Sequence, residues 1–101
     1  MSFMENLTFG LAIAALKDGR RVCRAGWNGK GMWLFLLPAG RIKLSMIHDP
    51  ALKQVVIENG GEIEALASIR MKTADNKILT GWLASQSDIL ADDWVVLPEV
   101  A

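Results

Sequence analysis

The first hydrophobic pattern along the chain predicts a short amphipathic helix near the N-terminus. Its apolar residues recur at helical spacing and are Phe9, Ala12, Ile13 and Leu16. Thr8 precedes them and suits the N-cap, because its hydroxyl oxygen can accept a hydrogen bond from a free amide of the first turn. Gly19 follows them and suits the left-handed conformation after a helix end. We therefore expect a helix between Thr8 and Gly19.

Most of the remaining pattern is typical of β-strands. We predict strands at residues 20–24, 32–37, 41–46, 66–73, 77–82 and 94–97. The run 32–37 is almost continuously apolar, which indicates a central strand covered on both faces. By contrast, 41–46 alternates between polar and apolar residues as a half-buried strand does. Residues 74–76 form the turn of the clearest hairpin.

Two further helices are predicted from their start signals. Asp49 and Pro50 are typical of an N-cap followed by the first helical residue, and the glycines at 60 and 61 end that helix. Ser85 and Asp88 have the spacing of a capping box. The elements together predict an α+β fold, a small antiparallel β-sheet with an N-terminal helix and one or two further short helices packed against it. The length favours a single domain over residues 1–101.

Composition and charge narrow the classes of function. The chain is 51% hydrophobic and carries 11 basic and 11 acidic residues, so it has enough apolar residues for a core and no net charge. Long nucleic acids favour a strongly basic face, and we expect none as a partner. Cys23 is the only cysteine, which excludes an intramolecular disulfide, and we expect a buried thiol. No apolar run approaches the roughly 20 residues of a membrane-spanning helix, so we expect a soluble, cytoplasmic protein with no membrane partner.

Trp27 stands in a glycine-rich turn without apolar neighbours. A functional interpretation is that its indole stacks on a purine, while Asn28 reads a base edge or a ribose. Gly29 and Gly31 would then present backbone amides to a phosphate. The alternative is a plain hairpin turn, which Asn-Gly also favours, with Trp27 packed on the sheet. The residues alone leave both interpretations open.

A second candidate set surrounds the predicted start of the last helix. Its members are Trp82, Ala84, Ser85, Gln86 and Asp88. A helix N-terminus can hold an anion with its free amides, and Ser85 or Gln86 can add hydrogen bonds. The Asp88 carboxylate already interacts with the positive end of the helix dipole, although it can also accept hydrogen bonds from ribose hydroxyls or a base amine. The alternative, which the residues favour slightly, is a helix cap beside a core tryptophan.

Catalytic and metal-binding groups are weakly indicated. Asp92 and Asp93 suggest metal binding or acid–base chemistry, but adjacent aspartates also form ordinary turns, and we favour the turn. His48 is the only histidine, and nothing marks a nucleophile for it. Trp33 and Trp94 lie in apolar runs and are predicted core residues. We therefore predict no catalytic residue, no metal ligand and no cofactor.

Three longer motifs occur in an order that resembles a known family. They are 22–33 (VCRAGWNGKGMW), 71–77 (MKTADNK) and 82–94 (WLASQSDILADDW), preceded by the helix ends at 8–10 (TFG) and 15–19 (ALKDG). This order resembles the small phage domain known as the second Thoeris anti-defence family. The resemblance implies a non-enzymatic sponge that sequesters cyclic nucleotide immune signals in the cytoplasm of the infected bacterium. The resemblance implies cyclic ADP-ribose isomers as the main ligands, and cyclic oligonucleotides as further ligands of some members.

The resemblance also implies an assembly and a set of binding residues. Members of the family form homo-tetramers whose ligand sites lie at subunit interfaces. Carried over by motif, the pocket residues of this chain are Trp27, Asn28, Trp82, Ser85, Gln86 and Asp88, with Phe9 as a further lining residue.

Two other functions remain open at this stage. An enzyme, either a phosphodiesterase or a glycohydrolase, would degrade the same signals and use Asp88, Asp92 and Asp93 as metal ligands or as acid and base. A structural or interaction module of a phage particle would instead bury its tryptophans at protein contacts.

Overall fold

The computed structural model describes residues 4–27 and 30–99. The chain forms two compact units, a larger one from Met1–Leu37 and Ser68–Ala101 and a smaller one from Pro38–Ala67. The elements in chain order are α1 (Phe9–Lys17), β1 (Val22–Arg24), β2 (Trp33–Leu37), β3 (Gly40–Lys43), α2 (Pro50–Glu58), β4 (Glu62–Ala65), β5 (Ser68–Lys72), β6 (Ile78–Thr80), α3 (Gln86–Leu90) and β7 (Trp94–Val96). The predicted α+β class is confirmed.

The larger unit is built on an antiparallel five-stranded sheet. Its strands lie in the order β6-β5-β2-β1-β7, so the apolar strand β2 is central, as its pattern predicted. Val22 of β1 pairs with Leu34 on one side and with Val96 on the other. Because paired residues point to the same face of a sheet, these three side chains share one face. All three are buried, and they form the base of the core.

Helix α1 covers that face in the way its sequence predicts. The Thr8 side chain caps the helix by accepting a hydrogen bond from the Leu11 amide at 3.3 Å. Ala12 and Leu16 are buried in the same core cluster as Val22 and Leu34. Gly19 follows the helix end with φ +84°, the left-handed conformation that glycine adopts without steric cost.

The opposite face of the sheet departs from the prediction. Trp33 and Phe35 of β2 are only partly buried, so β2 is not fully buried on both faces and Trp33 is not a core residue. Within the larger unit, arginine side chains lie over these rings instead: Arg21 lies 5.1 Å from the Trp33 ring centre and Arg70 lies 5.8 Å from that of Phe35. Cys23 is likewise only half-buried, which corrects the expectation of a buried thiol.

The smaller unit contains two short paired strands, β3 and β4, and helix α2 lies between them in the sequence. Helix α2 begins as predicted, with the Asp49 carboxylate accepting from the Ala51 amide at 3.0 Å. Strand β3 ends at Lys43 and is followed by a 3₁₀ turn over Leu44–Met46, so the strand predicted over 41–46 is too long. Its partner β4 was not predicted at all.

The hairpin of β5 and β6 is present with shorter strands than predicted. Arg70, Met71 and Lys72 pair with Thr80, Leu79 and Ile78. The chain turns at Asn76, which has φ +63°, a conformation that asparagine tolerates better than most residues. Strand β6 ends at Thr80, and Gly81, with φ +86°, redirects the chain toward Trp82.

Candidate functional site

Four aromatic side chains meet at one end of the larger unit, and we call them the aromatic cluster: Phe9, Trp27, Trp82 and Trp94. The Trp94 ring lies at the centre, with ring centres 5.4 Å from Phe9, 5.6 Å from Trp27 and 6.4 Å from Trp82. The three indoles meet edge to face, at interplanar angles of 70° to 84°. This geometry is favourable for aromatic pairs and holds the rings in fixed orientations.

The cluster is buried at its centre and open at its edges. Trp94 is fully buried, with 0% of its surface exposed. Trp27 and Trp82 pack against this core but are only partly buried. Two indoles therefore extend from a buried base toward the surface, where part of each side chain is exposed.

Trp27 is placed by hydrogen bonds from the turn that carries it. The 3₁₀ turn Ala25–Trp27 directly follows β1. The Ala25 amide donates to the Asp93 backbone carbonyl at 3.0 Å, and the Gly26 amide donates to the Asp93 carboxylate at 2.8 Å. A side chain on Gly26 would place its Cβ 2.9 Å from that carboxylate, so the close approach requires glycine.

Trp82 is placed by the end of the hairpin and the start of α3. Its backbone amide donates to the Ile69 carbonyl at 2.8 Å, which ties the residue to β5. Three residues later the predicted capping box is present: the Ser85 hydroxyl accepts from the Asp88 amide at 3.1 Å, and the Asp88 carboxylate accepts from the Ser85 amide at 3.0 Å. The Trp94 indole N–H also donates to the Asp88 carbonyl at 2.9 Å, so the cap and the aromatic cluster are directly joined.

An arginine that the sequence analysis did not single out connects the two turns. The Arg24 Nη1 donates to Asp88 Oδ1 and its Nε donates to Asp93 Oδ1, both at 2.8 Å. The exposed fractions of the three side chains are 19% for Arg24, 14% for Asp88 and 30% for Asp93. Water screens such a shielded network less than it screens an ion pair on the open surface. We call these three residues the Arg24 network.

The carboxylates of the network are held in their ionised form. The hydrogen bond from Arg24 lowers the pKa of Asp93, and the Gly26 amide lowers it further. Burial alone would raise the pKa of Asp88, but hydrogen bonds from Ser85 and Arg24 outweigh it, and the pKa lies below its usual value. Both carboxylates therefore act as acceptors for groups of the protein itself.

The structure brings together most of the side chains that the sequence singled out. Phe9, Trp27 and Trp82 meet in the aromatic cluster, and Ser85 and Asp88 meet in the adjoining cap. Ala84 is half-buried and Gln86 is exposed in the same turn. Asn28 and Gly29 lie outside the described residues, so their predicted roles stay predictions.

Three contributions to this region were not predicted from the sequence. Trp94 is a core residue, as predicted, but it also organises the other three rings. Asp93 was interpreted as part of an ordinary turn, whereas its carboxylate holds the turn of Trp27. Arg24 gave no local signal, because its two partners lie 64 and 69 residues away in sequence.

Other potential sites in the described residues are few. In residues 4–27 and 30–99, no three His, Cys, Asp or Glu side chains come together as a possible metal site. His48 is exposed in the smaller unit. A polar cleft of about 270 Å³ is found away from the aromatic cluster, lined by Asp18, Gly19, Arg20, Arg21, Pro98 and Glu99. Nor does this described part contain a helix with the length and apolar character that crossing a bilayer requires.

Comparison with known proteins matches almost the whole chain. Residues 7–97 match the family model described as a Thoeris anti-defense 2-like domain. A curated relative from Bacillus phage SP01, named Thoeris anti-defense 2, is 35% identical over 98 residues, which cover 90% of this chain and 94% of the relative. The matched range includes every residue of the aromatic cluster and of the Arg24 network.

Proposed function

Because this chain belongs to the Thoeris anti-defense 2 family and thus has a phage anti-defence role, we propose that it binds cyclic nucleotide immune signals and sequesters them without cleavage. Cyclic ADP-ribose isomers are the first candidates, as the sequence resemblance implies, and cyclic oligonucleotides are the second. The observation that carries the proposal is the pair of partly exposed indoles, Trp27 and Trp82, fixed around the buried ring of Trp94.

The geometry of the aromatic cluster suits a purine. An aromatic side chain that stacks on a base contributes about 1–3 kcal/mol of binding free energy. The rings of Trp27 and Trp82 are already oriented by Trp94, so they lose little conformational entropy when a ligand binds. A sponge needs this kind of preorganised affinity, and the cluster supplies it.

The state of the nearby acids supports capture over cleavage. A hydrolytic mechanism would need a carboxylate that is free to bind a metal ion or to exchange a proton near neutral pH. Asp88 and Asp93 each accept hydrogen bonds from Arg24 and from a backbone amide, and both have lowered pKa values. These contacts favour a structural role for both carboxylates.

We further propose that the protein acts as a homo-tetramer in the host cytoplasm, with the ligand sites where subunits meet. Leu83, beside Trp82, is 89% exposed, and Leu90 of α3 is 76% exposed. Exposed apolar side chains that form a continuous patch are typical of surfaces that bind another protein, and the proposal places Leu83 and Leu90 in one such patch. A partner subunit that covers them would also enclose the exposed edges of Trp27 and Trp82, and so complete a pocket that one small domain is too shallow to hold.

The test of capture against cleavage is a release experiment. The protein is incubated with each cyclic ADP-ribose isomer and separated from free small molecules by gel filtration. Mass spectrometry then identifies the small molecules in the free fraction and those that heat releases from the protein fraction. A sponge returns the intact isomer in an amount no greater than the protein. Linear products in the free fraction beyond the amount of protein would instead show turnover by an enzyme. An isomer that stays intact and is recovered wholly in the free fraction would favour an interaction module.

A further inference from the structure

We propose that Arg24 is a positioning residue that holds the two tryptophan-bearing turns at the spacing the ligand needs. The inference rests on the proposed function and assigns a role to a residue whose side chain donates hydrogen bonds to Asp88 and Asp93. It is carried by the contacts of the Arg24 network, which join elements far apart in sequence through one guanidinium.

One arm of the network reaches Trp27. The Arg24 Nε donates to Asp93 Oδ1 at 2.8 Å, and the other oxygen of the same carboxylate accepts from the Gly26 amide at 2.8 Å. Gly26 is adjacent to Trp27 in a three-residue turn. Movement of the Asp93 carboxylate therefore shifts the backbone from which the Trp27 indole extends.

The other arm reaches the turn that follows Trp82. The Arg24 Nη1 donates to Asp88 Oδ1 at 2.8 Å, while Asp88 Oδ2 accepts from both the amide and the hydroxyl of Ser85, at 3.0 and 2.8 Å. The carbonyl of Asp88 accepts from the Trp94 indole N–H. This arm consequently fixes the start of α3 against the centre of the aromatic cluster.

The chemistry of both arms requires an arginine. Two different nitrogens of one planar guanidinium donate to two different carboxylates, and that fork is rigid. A lysine has a single nitrogen on a flexible chain and presents no such fork. Arg24 also pairs with Trp94 across β1 and β7, so the guanidinium and the central indole lie on the same face of the sheet.

The test compares three variants with the wild-type protein. Arg24→Gln removes the charge and the fork, and Arg24→Lys keeps the charge alone. Arg41→Gln is the matched control, because Arg41 makes an arginine–carboxylate pair with Glu62 at 2.9 Å in the smaller unit. The readouts are the near-ultraviolet circular dichroism of the unliganded protein, which reports the packing of its tryptophans, and calorimetric affinity for the cyclic ADP-ribose isomer that binds most tightly.

We expect both Arg24 variants to lose intensity in the near-ultraviolet spectrum and to bind at least tenfold more weakly, with unchanged far-ultraviolet spectra. We expect Arg41→Gln to match the wild type in both measurements. The inference is overturned if the Arg24 variants keep the wild-type spectrum, or if they bind as tightly as the wild type per folded molecule.

A fourth variant keeps the test decisive if Arg24→Gln does not fold. Asp93→Asn removes one charged acceptor while leaving the arm to Asp88 in place, and we expect a partial loss of spectrum and affinity. Wild-type behaviour of Asp93→Asn would overturn the inference. Should the wild-type protein bind no isomer, the proposed function fails, whereas the spectra still decide whether Arg24 orders the tryptophans.

Discussion

At the scale of single residues, the candidate site depends on Trp94. Its ring packs against Phe9, Trp27 and Trp82, and its indole N–H donates to the carbonyl of Asp88. The buried indole thus fulfils a packing role and satisfies its polar group at the same time, as buried tryptophans usually do. Contacts with the Trp94 ring therefore orient the other three rings.

The first residue-scale prediction concerns Trp27. We expect Trp27→Leu to weaken binding of a cyclic ADP-ribose isomer by a factor of roughly 5 to 150, because it removes a stacking contribution of about 1–3 kcal/mol. Trp33→Leu is the control, since Trp33 is also a partly buried tryptophan but lies on the other face of the sheet. Calorimetric titration measures both. Equal affinities of the two variants would show that Trp27 has no special role in binding.

The second residue-scale prediction concerns Gly26. Gly26→Ala would bring a Cβ to 2.9 Å from Asp93 Oδ2, so the carboxylate must move away from the amide that it accepts from. We expect a loss of roughly 1 kcal/mol in the free energy of unfolding, comparable to the net contribution of one intramolecular hydrogen bond. Urea denaturation measures it. Gly40→Ala, where a Cβ meets no atom within 4 Å, should not destabilise, and equal losses in both variants would contradict the explanation.

Some of these residues could be predicted because their neighbours in the sequence are unusual. Trp27 drew attention because glycine and polar residues surround it, where a core tryptophan has apolar neighbours, and Trp82 did so because it directly precedes a helix start. Arg24 sits in an ordinary strand sequence, and its partners are 64 and 69 residues away. A contact over that distance is created only by folding, so no local pattern predicts it.

At the scale of elements, local signals predicted most of the boundaries. The caps at Thr8, Asp49 and Ser85 are all present, because a cap involves only residues within one turn. Pairing of β3 with β4 was missed, since α2 lies between them in the chain and the pairing is not local. The strand predicted over 41–46 was too long because alternation alone does not reveal where a strand turns.

The element-scale prediction concerns the junction of α3, β1 and β7 and its dependence on pH. Asp88 and Asp93 have lowered pKa values in the folded protein, whereas the pKa of an aspartate in an unfolded chain is about 3.9. Their stabilising contribution is therefore complete above the unfolded pKa, and it is lost as the pH falls through the lower, folded pKa values. We expect the free energy of unfolding to decrease between about pH 5 and about pH 2.

Urea denaturation across that pH range measures the effect, with Asp93→Asn as the comparison. The variant lacks one of the two carboxylates, so its stability should fall less steeply with acid. A decrease as steep in Asp93→Asn as in the wild-type protein would mean that other groups cause the acid sensitivity.

At the scale of the whole molecule, the proposed tetramer accounts for apolar surface that one chain leaves exposed. The protein is 51% hydrophobic, yet Leu83 and Leu90 are largely exposed in the larger unit. Burial of a leucine side chain contributes about 1.5–3 kcal/mol, so an assembly that covers such residues gains substantial free energy. Burial of this exposed apolar surface therefore favours association of several chains.

The prediction at this scale is a defined oligomer. We expect light scattering after gel filtration to give a mass four times the 11.1 kDa of one chain. Leu83→Ser should shift that distribution toward smaller species, because it places a hydroxyl in the proposed interface. A monomer at all concentrations, or an unchanged tetramer in the variant, would count against this assignment of the interface.

The most direct measurement of the central claim is a crystal structure of the protein with a bound cyclic ADP-ribose isomer. We expect an intact ligand whose purine stacks on the indole of Trp27 or Trp82, with the contacts of the Arg24 network unchanged. A ligand bound elsewhere, such as in the polar cleft beside Arg20 and Arg21, or cleavage products in the site, would contradict it.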